Sequence, residues 1–177
     1  MAQGWLPAVT VGLVIAATSA CYDSEVPLDP APMNELDPQL TGTWRCLGSP
    51  ARADAEAATL VVAKARDRVY SVTFLEEDRA PERYEAHSSV VAGVTLLNVH
   101  DLARDSRFYT KPWVFARYSF LEPDVLHVRI LDEALLKEFV AATPTALRAE
   151  VERHIASERL FMDYCVCLRV TEAKKGA

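Results

Sequence analysis

Glycine is scarce in this sequence, which has only six glycines among 177 residues. Phosphate-binding loops need clustered glycines that let backbone N–H groups reach the phosphate oxygens, and no such cluster occurs. No serine sits in the small-residue turn that exposes the nucleophile of many hydrolases. The four histidines are scattered along the chain. The sequence therefore offers no catalytic constellation, and we expect a protein that is not an enzyme and carries no cofactor.

Positive charge is also in deficit, because 19 Lys and Arg residues face 25 Asp and Glu residues, for a formal net charge of -6. Nucleic acids are bound through a basic stripe or patch, and none is visible here. We therefore expect no nucleic-acid partner. The apolar fraction of 50% is ordinary for a globular protein, and 177 residues suffice for one domain with its own core.

Charged side chains are absent from the first twenty residues. The apolar part of this segment is shorter than the about 20 residues that span a bilayer. It ends in the small residues Thr18, Ser19 and Ala20, directly before Cys21. This arrangement predicts a cleaved secretory signal peptide over residues 1–20.

The stretch TSAC, residues 18–21, resembles the lipobox of bacterial lipoproteins. The resemblance implies that Cys21 is acylated and becomes the first residue of the mature protein. Several acyl chains hold a protein stably on a bilayer, because each buried CH₂ contributes about 0.8 kcal/mol. We therefore expect a lipid-anchored protein of the cell envelope, at the outer membrane or a periplasmic membrane face. A plain secretory signal and an uncleaved anchor are the alternatives.

The segment that follows, residues 21–38, contains four prolines and no Lys or Arg. Proline favours extended backbone and acidic side chains keep it solvated, so this composition predicts a Pro-rich acidic tether. A loop packed on the folded body is the alternative. We assign the folded domain to residues 39–171 and a flexible tail to residues 172–177.

Beyond residue 38, short runs alternate apolar and polar residues, which is the pattern of half-buried strands. Eight strands are predicted, over residues 42–47, 59–65, 69–75, 83–91, 94–99, 113–121, 125–131 and 160–170. Tight turns join most neighbours, which favours an antiparallel up-and-down barrel that can hold one small ligand. A two-sheet sandwich is the alternative. His87 either lines the barrel interior or is a strand histidine with its own hydrogen-bond partner.

One helix is predicted just before the last strand. Asp132 can cap its N-terminus, and Pro144 marks its end. Its apolar residues, which share one face, are Leu135, Leu136, Phe139 and Val140. A second, shorter helical turn is predicted over residues 145–152.

The first strand contains Gly42-Thr43-Trp44, which resembles the G-x-W motif that opens lipocalin (calycin-type) barrels. The resemblance implies that Trp44 seals one end of the barrel and that Arg169, on the last strand, packs over its indole. The stretches LTGTW, DRVYSVTF, YEAHSSVVAGVTLLNV and LDEALLKEF resemble an uncharacterised group of bacterial lipoproteins with lipocalin-like bodies.

This resemblance implies a non-enzymatic binding module for a small apolar or amphipathic ligand, or for an envelope protein. The alternative is a structural or protein-interaction lipoprotein whose barrel is filled by its own side chains.

Three cysteines remain once Cys21 is set aside. An exported protein meets an oxidising compartment, so we expect one disulfide. Paired first and last strands place Cys46 opposite the region of Cys165 and Cys167, which point to the same face of their strand. Either of the two can be its partner, and one thiol is left over. A soft-metal site for Cu(I) or Zn²⁺ is the alternative that we rank lower, so no bound metal is predicted.

The loop over residues 101–112 combines basic and aromatic side chains, and long loops at a barrel mouth commonly carry binding. The candidate binding residues of this loop and of the position after it are Arg104, Arg107, Phe108, Tyr109, Lys111 and Trp113. Such a lid suits an anionic amphiphile or a protein partner. The alternative is a loop whose aromatic side chains pack on the end of the barrel.

Overall fold

The structure, a computed structural model, describes residues 21–48, 57–104, 110–136 and 139–171. The predicted signal peptide (1–20) and tail (172–177) lie outside these residues. The eight strands are β1 (Gly42–Gly48), β2 (Ala58–Arg66), β3 (Val69–Leu75), β4 (Glu82–Val91), β5 (Val94–Asp101), β6 (Trp113–Glu122), β7 (Val125–Leu131) and β8 (Phe161–Arg169). They form a closed barrel in sequence order, in which β8 pairs with β1 and all neighbours are antiparallel. The predicted eight-stranded up-and-down barrel is confirmed.

Period-2 alternation places one set of side chains inside the barrel. In β1, Trp44 and Cys46 are buried while Arg45 and Leu47 are exposed. The register carries this inner face around the barrel, since residue pairs directly opposite each other point to the same side. The inner core contains Leu40, Trp44, Cys46, Val62, Tyr70, Ala86, Leu97, Ala116, Leu126, Ile130, Cys165 and Cys167.

The two ends of the barrel differ in their connections. Tight turns join β2 to β3, β4 to β5 and β6 to β7 at one end, which we name the closed end. The first two turns use backbone with positive φ, at Arg68 (56°), Ala92 (46°) and Gly93 (82°). The longer connections lie at the opposite end, which we name the open end. The two ends of the barrel therefore differ in the length of their connections.

A second apolar core lies on the outer face of β4, β5 and β6. Asn98 and Phe115, which are paired between β5 and β6, are fully buried on this face, as is Leu96. A helix, α1 (Pro144–His154), packs here through Leu147 and Val151. This core explains why those strands bury both faces, which the simple alternation of a half-buried strand does not predict.

One helix precedes the last strand, as predicted, but its bounds differ from those expected from the sequence. Residues Glu133–Leu135 form one 3₁₀ turn, which Asp132 caps by accepting from the N–H of Ala134 at 2.8 Å. The α-helix begins at Pro144, which we had assigned as a helix end, and Thr143 caps it. Proline suits the first helical turn because its missing N–H has no partner to lose there. The helix thus occupies the place of the shorter turn predicted over residues 145–152.

The acidic segment predicted as a tether packs on the barrel, so the packed-loop alternative describes it. We name residues 21–40 the N-terminal strap. Its Tyr22 and Leu28 belong to the outer core. Backbone N–H groups of Tyr22 and Ser24 donate to the carbonyls of Leu131 and Trp113, both at 2.9 Å. Burial of Tyr22, Leu28 and Leu40 outweighs the proline content, which by itself favours a solvated spacer.

Polar groups on β4 and β5 hold the strap along its length. The buried amide of Asn98 accepts from the N–H of Leu28 at 2.7 Å. It also donates to the Ser89 hydroxyl at 2.7 Å, so it bridges the sheet and the strap. The strap therefore runs from the open end near Leu131 to the closed end near Leu40.

Among the described residues, no helix has the length and apolar character needed to cross a bilayer.

Candidate functional site

The closed end is sealed by Trp44 and Arg169, the residues singled out by the lipocalin resemblance. The indole of Trp44 is fully buried, and its N–H donates to the carbonyl of Leu40 at 3.0 Å. The guanidinium carbon of Arg169 lies 4.0 Å from the ring centroid. The same guanidinium donates to the carbonyls of Gln39 and Thr41, at 2.5 and 2.9 Å. It thus fastens the strap over the tryptophan.

Gly42 is required where the chain turns into β1. Its φ is +140°, and a Cβ built there would lie 2.7 Å from Nη1 of Arg169. A side chain would therefore strain the backbone and push the arginine off the indole. The motif acts structurally: the glycine leaves room for the arginine, and the arginine covers the tryptophan.

Asp37 completes this seal from the strap. Its carboxylate accepts from the hydroxyl of Tyr118 at 3.0 Å, and its N–H donates to the hydroxyl of Tyr70 at 2.6 Å. Both tyrosines point into the barrel, and burial is the main cause that raises the pKa of each phenol, with the charge of Asp37 adding to it. Neither phenol ionises near neutral pH, so they act here as hydrogen-bonding groups.

The open half of the barrel interior is lined differently. The register places side chains of β3 to β8 on the inner face near the open end, and these side chains are apolar or aromatic but only partly buried. They are Phe74, Tyr84, Val99, Val114, Met162 and Tyr164. Their partial exposure contrasts with the fully buried side chains of the closed half.

Carboxylates stand at the rim of this opening. The hydroxyl of Tyr84 donates to Glu82 at 2.6 Å, and burial, with Glu82 adding to it, raises the pKa of the phenol far above its usual range. Asp101, opposite Tyr84, is paired with Arg104 at 3.2 Å. Burial disfavours the charged form of Arg104, while Asp23 and Asp101 favour it, and the net effect raises its pKa.

The structure describes only part of the predicted binding loop. Arg107, Phe108 and Tyr109 lie outside the described residues, and Lys111 is exposed. Arg104 pairs with Asp23 at 2.9 Å and with Asp101 at 3.2 Å, so it links the strap to the end of β5.

Trp113, the last of the predicted binding residues, lies on the outer face of the barrel rather than on the inner face. It opens β6 on the outer face, where it stacks on His100 with ring centroids 4.5 Å apart. Its backbone pairs with Ser24 of the strap. The side chain of Trp113 therefore lies on the outer face of the barrel, beneath the strap. The physical reason is register, since Trp113 lies opposite His100, one residue out of phase with the inward-facing Val114.

His87 also faces outward rather than into the barrel. Its Nε2 lies 3.0 Å from the carbonyl oxygen of Asp29, and its ring meets Trp113 edge-on at 5.8 Å. Burial lowers the pKa of this imidazole, with the Asp29 contacts opposing that shift. The residue is therefore a strand histidine with its own hydrogen-bond partner, held under the strap.

A disulfide joins β1 to β8 across the barrel seam. Of the two pairings expected from the sequence, the structure has Cys46 bonded to Cys167, its direct register partner. Cys165 is buried without a disulfide bond, and its sulfur lies 3.4 Å from that of Cys167. Burial raises the pKa of the Cys165 thiol to about 12. The three sulfurs form one cluster inside the barrel.

Cys21, the predicted lipidation site, lies on the open-end side of the barrel. It forms an isolated bridge with Asp132, the residue that follows β7 at that end, and it is exposed. The next residue, Tyr22, is buried in the outer core. The position of Cys21 relative to the mouth is a feature that sequence reasoning missed, because only the packed strap brings them to the same end.

A shallow recess interrupts the wall between β5 and β6. Their pairing runs only from Leu97 opposite Ala116 to His100 opposite Trp113, so the strands separate toward the closed end. The recess measures about 310 Å³ and is lined by Gly93, Val94, Thr95, Arg117, Tyr118, Ser119 and Phe120. It opens widely to solvent.

Comparison of the chain with protein-family models, curated proteins and solved structures gives no match. The topology itself is compatible with a lipocalin-like fold, since eight antiparallel strands close a barrel and a helix precedes the last strand.

Proposed function

We propose that this chain is an exported, membrane-anchored lipoprotein whose barrel binds a small apolar or amphipathic ligand at its open end. The observation that carries the proposal is the contrast between the two halves of the interior. The closed half is filled by fully buried Trp44 and Tyr70. The open half is lined by partly exposed apolar and aromatic side chains such as Met162 and Tyr164. A concave apolar surface with a few polar groups at its rim suits such a ligand.

The G-x-W motif supports membership of a lipocalin-like family. In this chain Gly42, Trp44 and Arg169 form one interlocked unit, since the glycine makes room for the guanidinium that covers the indole. That arrangement matches what the lipocalin resemblance implies for the closed end.

The position of Cys21 supports a ligand drawn from a membrane. Cys21 is exposed beside Asp132 at the open end, while Tyr22 is buried directly after it. Acyl chains on Cys21 would therefore hold the mouth of the barrel near the bilayer surface, with almost no free chain between anchor and barrel. An amphiphile could then pass between bilayer and barrel over a short path. This geometry fits a lipid-anchored protein of the outer membrane or a periplasmic membrane face.

Ligand binding is tested with a fluorescent probe and two variants of β8. The neutral probe phenylnaphthylamine should brighten with the purified protein and be displaced by a long-chain fatty acid. Met162→Arg places a charge on the inner face of the open half and should abolish the signal. Leu168→Arg, on the outer face of the same strand and 53% exposed, is the matched control and should leave it unchanged.

A second variant guards against misfolding. Val99→Trp fills the same space without adding charge and should also weaken probe binding, with an unchanged far-UV spectrum. Equal probe signals in the wild type and both inner-face variants would refute the site.

Lipidation is tested separately by the mass of the protein extracted from membranes. The expected species lacks residues 1–20 and carries acyl chains, and Cys21→Ser should remove both changes. A full-length, unmodified mass would contradict the anchor.

A protein-interaction role is the second candidate, and one surface favours it. The outer face of the seam between β1 and β8 exposes apolar side chains, at Leu47 (57%), Val166 (38%), Leu168 (53%) and Val170 (49%). Contiguous exposed apolar residues are typical of interaction sites. Photo-crosslinking from position 168 in cells should then capture one envelope protein, while the probe would fail to bind the barrel.

A further inference from the structure

Three cysteine sulfurs converge inside the barrel, which is one more than the disulfide uses. Cys46 and Cys167 are opposite each other across the seam, and Cys165 lies two residues from Cys167 on the same inner face. All three side chains are buried, and their sulfur atoms lie within 4.8 Å of one another. The Sγ atoms of Cys165 and Cys167 are 3.4 Å apart.

The neighbours of this cluster are mainly apolar. All three cysteines belong to the inner core, which surrounds them with residues such as Leu126 and Trp44. Among the His, Cys, Asp and Glu side chains of the described residues, the group that comes close enough to share one ion consists of these three cysteines. A structural zinc site takes four ligands, whereas Cu(I) prefers soft sulfur ligands and can be coordinated by three of them.

We propose that, after reduction of the Cys46–Cys167 disulfide, the three sulfurs bind a single Cu(I) ion. Oxidised, the cluster offers one thiol and a disulfide, which is a poor ligand. Reduced, it offers three thiols already gathered in one place, so little ordering is required when the ion binds. The site is independent of the ligand-binding role proposed above.

The chemistry balances in two steps. An external dithiol gives two electrons and two protons to the disulfide, yielding the Cys46 and Cys167 thiols, and itself becomes a disulfide. Cu(I) then displaces protons from the sulfurs that it coordinates, and these protons leave to solvent. The affinity for Cu(I) should therefore fall as the pH is lowered.

The test is an anaerobic titration of the full chain with Cu(I) held by a chromogenic chelator. Wild-type protein reduced with a phosphine should withdraw one equivalent, and the oxidised protein should withdraw none. Cys165→Ser keeps the disulfide pair but removes the third sulfur, and it should bind Cu(I) at least about 10-fold more weakly. Even the loss of a group that only hydrogen-bonds to a metal ligand lowers metal affinity by about this factor. X-ray absorption should show three sulfur ligands on the copper in the wild type.

Val166→Ser is the matched control, because it changes an outer-face side chain between the two cysteines of β8 and should leave the affinity unchanged. Equal affinities of reduced wild type and Cys165→Ser would overturn the proposal. A loss in Val166→Ser as large as in Cys165→Ser would also overturn it, since the loss would then not come from the missing sulfur. The proposal would also be overturned if the reduced protein lost the β-sheet signal in far-UV circular dichroism and copper failed to restore it.

Discussion

Truncation of Trp44 to alanine tests the closure of the barrel most directly. The indole is fully buried, donates its N–H to Leu40, and lies under Arg169 and beside Phe120, whose ring centroid is 6.0 Å away. Replacing a buried tryptophan by alanine typically costs about 3–5 kcal/mol, because transfer energy is lost and a cavity remains. That is a large part of the about 5–15 kcal/mol by which a domain of this kind is stable.

The loss should be visible in both chemical and thermal unfolding. For a chain of this size, 1 kcal/mol corresponds to about 2–4 °C in Tm, so Trp44→Ala should lower Tm by about 6–20 °C. Urea denaturation followed by far-UV circular dichroism, with the disulfide intact, gives the free energy of unfolding.

A double-mutant cycle separates the cation–π contact from general core packing. Trp44→Ala and Arg169→Ala, alone and combined, should show a coupling energy of about 0.5–2 kcal/mol. A loss below about 1 kcal/mol in Trp44→Ala, or additive effects in the cycle, would refute the idea that the stacked pair closes this end.

Three further predictions follow from the same contacts. Gly42→Ala should lower the free energy of unfolding by about 1–3 kcal/mol in urea denaturation, because φ is +140° and the new Cβ would lie 2.7 Å from Nη1 of Arg169. An unchanged free energy of unfolding would contradict this close approach. The pKa of His87 is lower in the folded protein than in the unfolded chain, where it is about 6.5. The stability that depends on neutral His87 is therefore fully present above about pH 6.5 and is lost as the pH falls through the folded-state pKa. Tm should accordingly fall less steeply with decreasing pH in His87→Gln than in the wild type. Reducing the Cys46–Cys167 disulfide, which spans 121 residues, should lower the free energy of unfolding by about 2–5 kcal/mol, and unchanged thermal melts with reductant would count against it.

Local patterns explain why the strands could be predicted closely. The third and seventh strands were expected over residues 69–75 and 125–131, and the structure has β3 and β7 at these bounds. Alternation and tight turns are properties of a few consecutive residues, so no distant contact is needed to recognise them. The two-sheet sandwich was left open because closure depends on whether β8 meets β1, which is a contact between the ends of the folded domain.

The contact of Trp44 with Arg169 was expected from the lipocalin resemblance, and in the structure both residues lie on the inner face of paired strands. The outward orientation of Trp113 could not be predicted, because nothing in a loop followed by a strand tells which strand residue first turns inward. The lining residues Val114 and Met162 were missed for the same reason, although period-2 phase relative to buried neighbours is a signal that points to them.

By itself, the sequence determined the number and order of strands, the chain turns between them and the set of cysteines able to meet. Only the tertiary structure decided which of Cys165 and Cys167 bonds to Cys46, since both share one face and register alone separates them. It also decided that the strap packs on the barrel and that Pro144 begins a helix. Such outcomes depend on apolar surfaces contributed by residues far apart in the chain, whose burial outweighs local propensity.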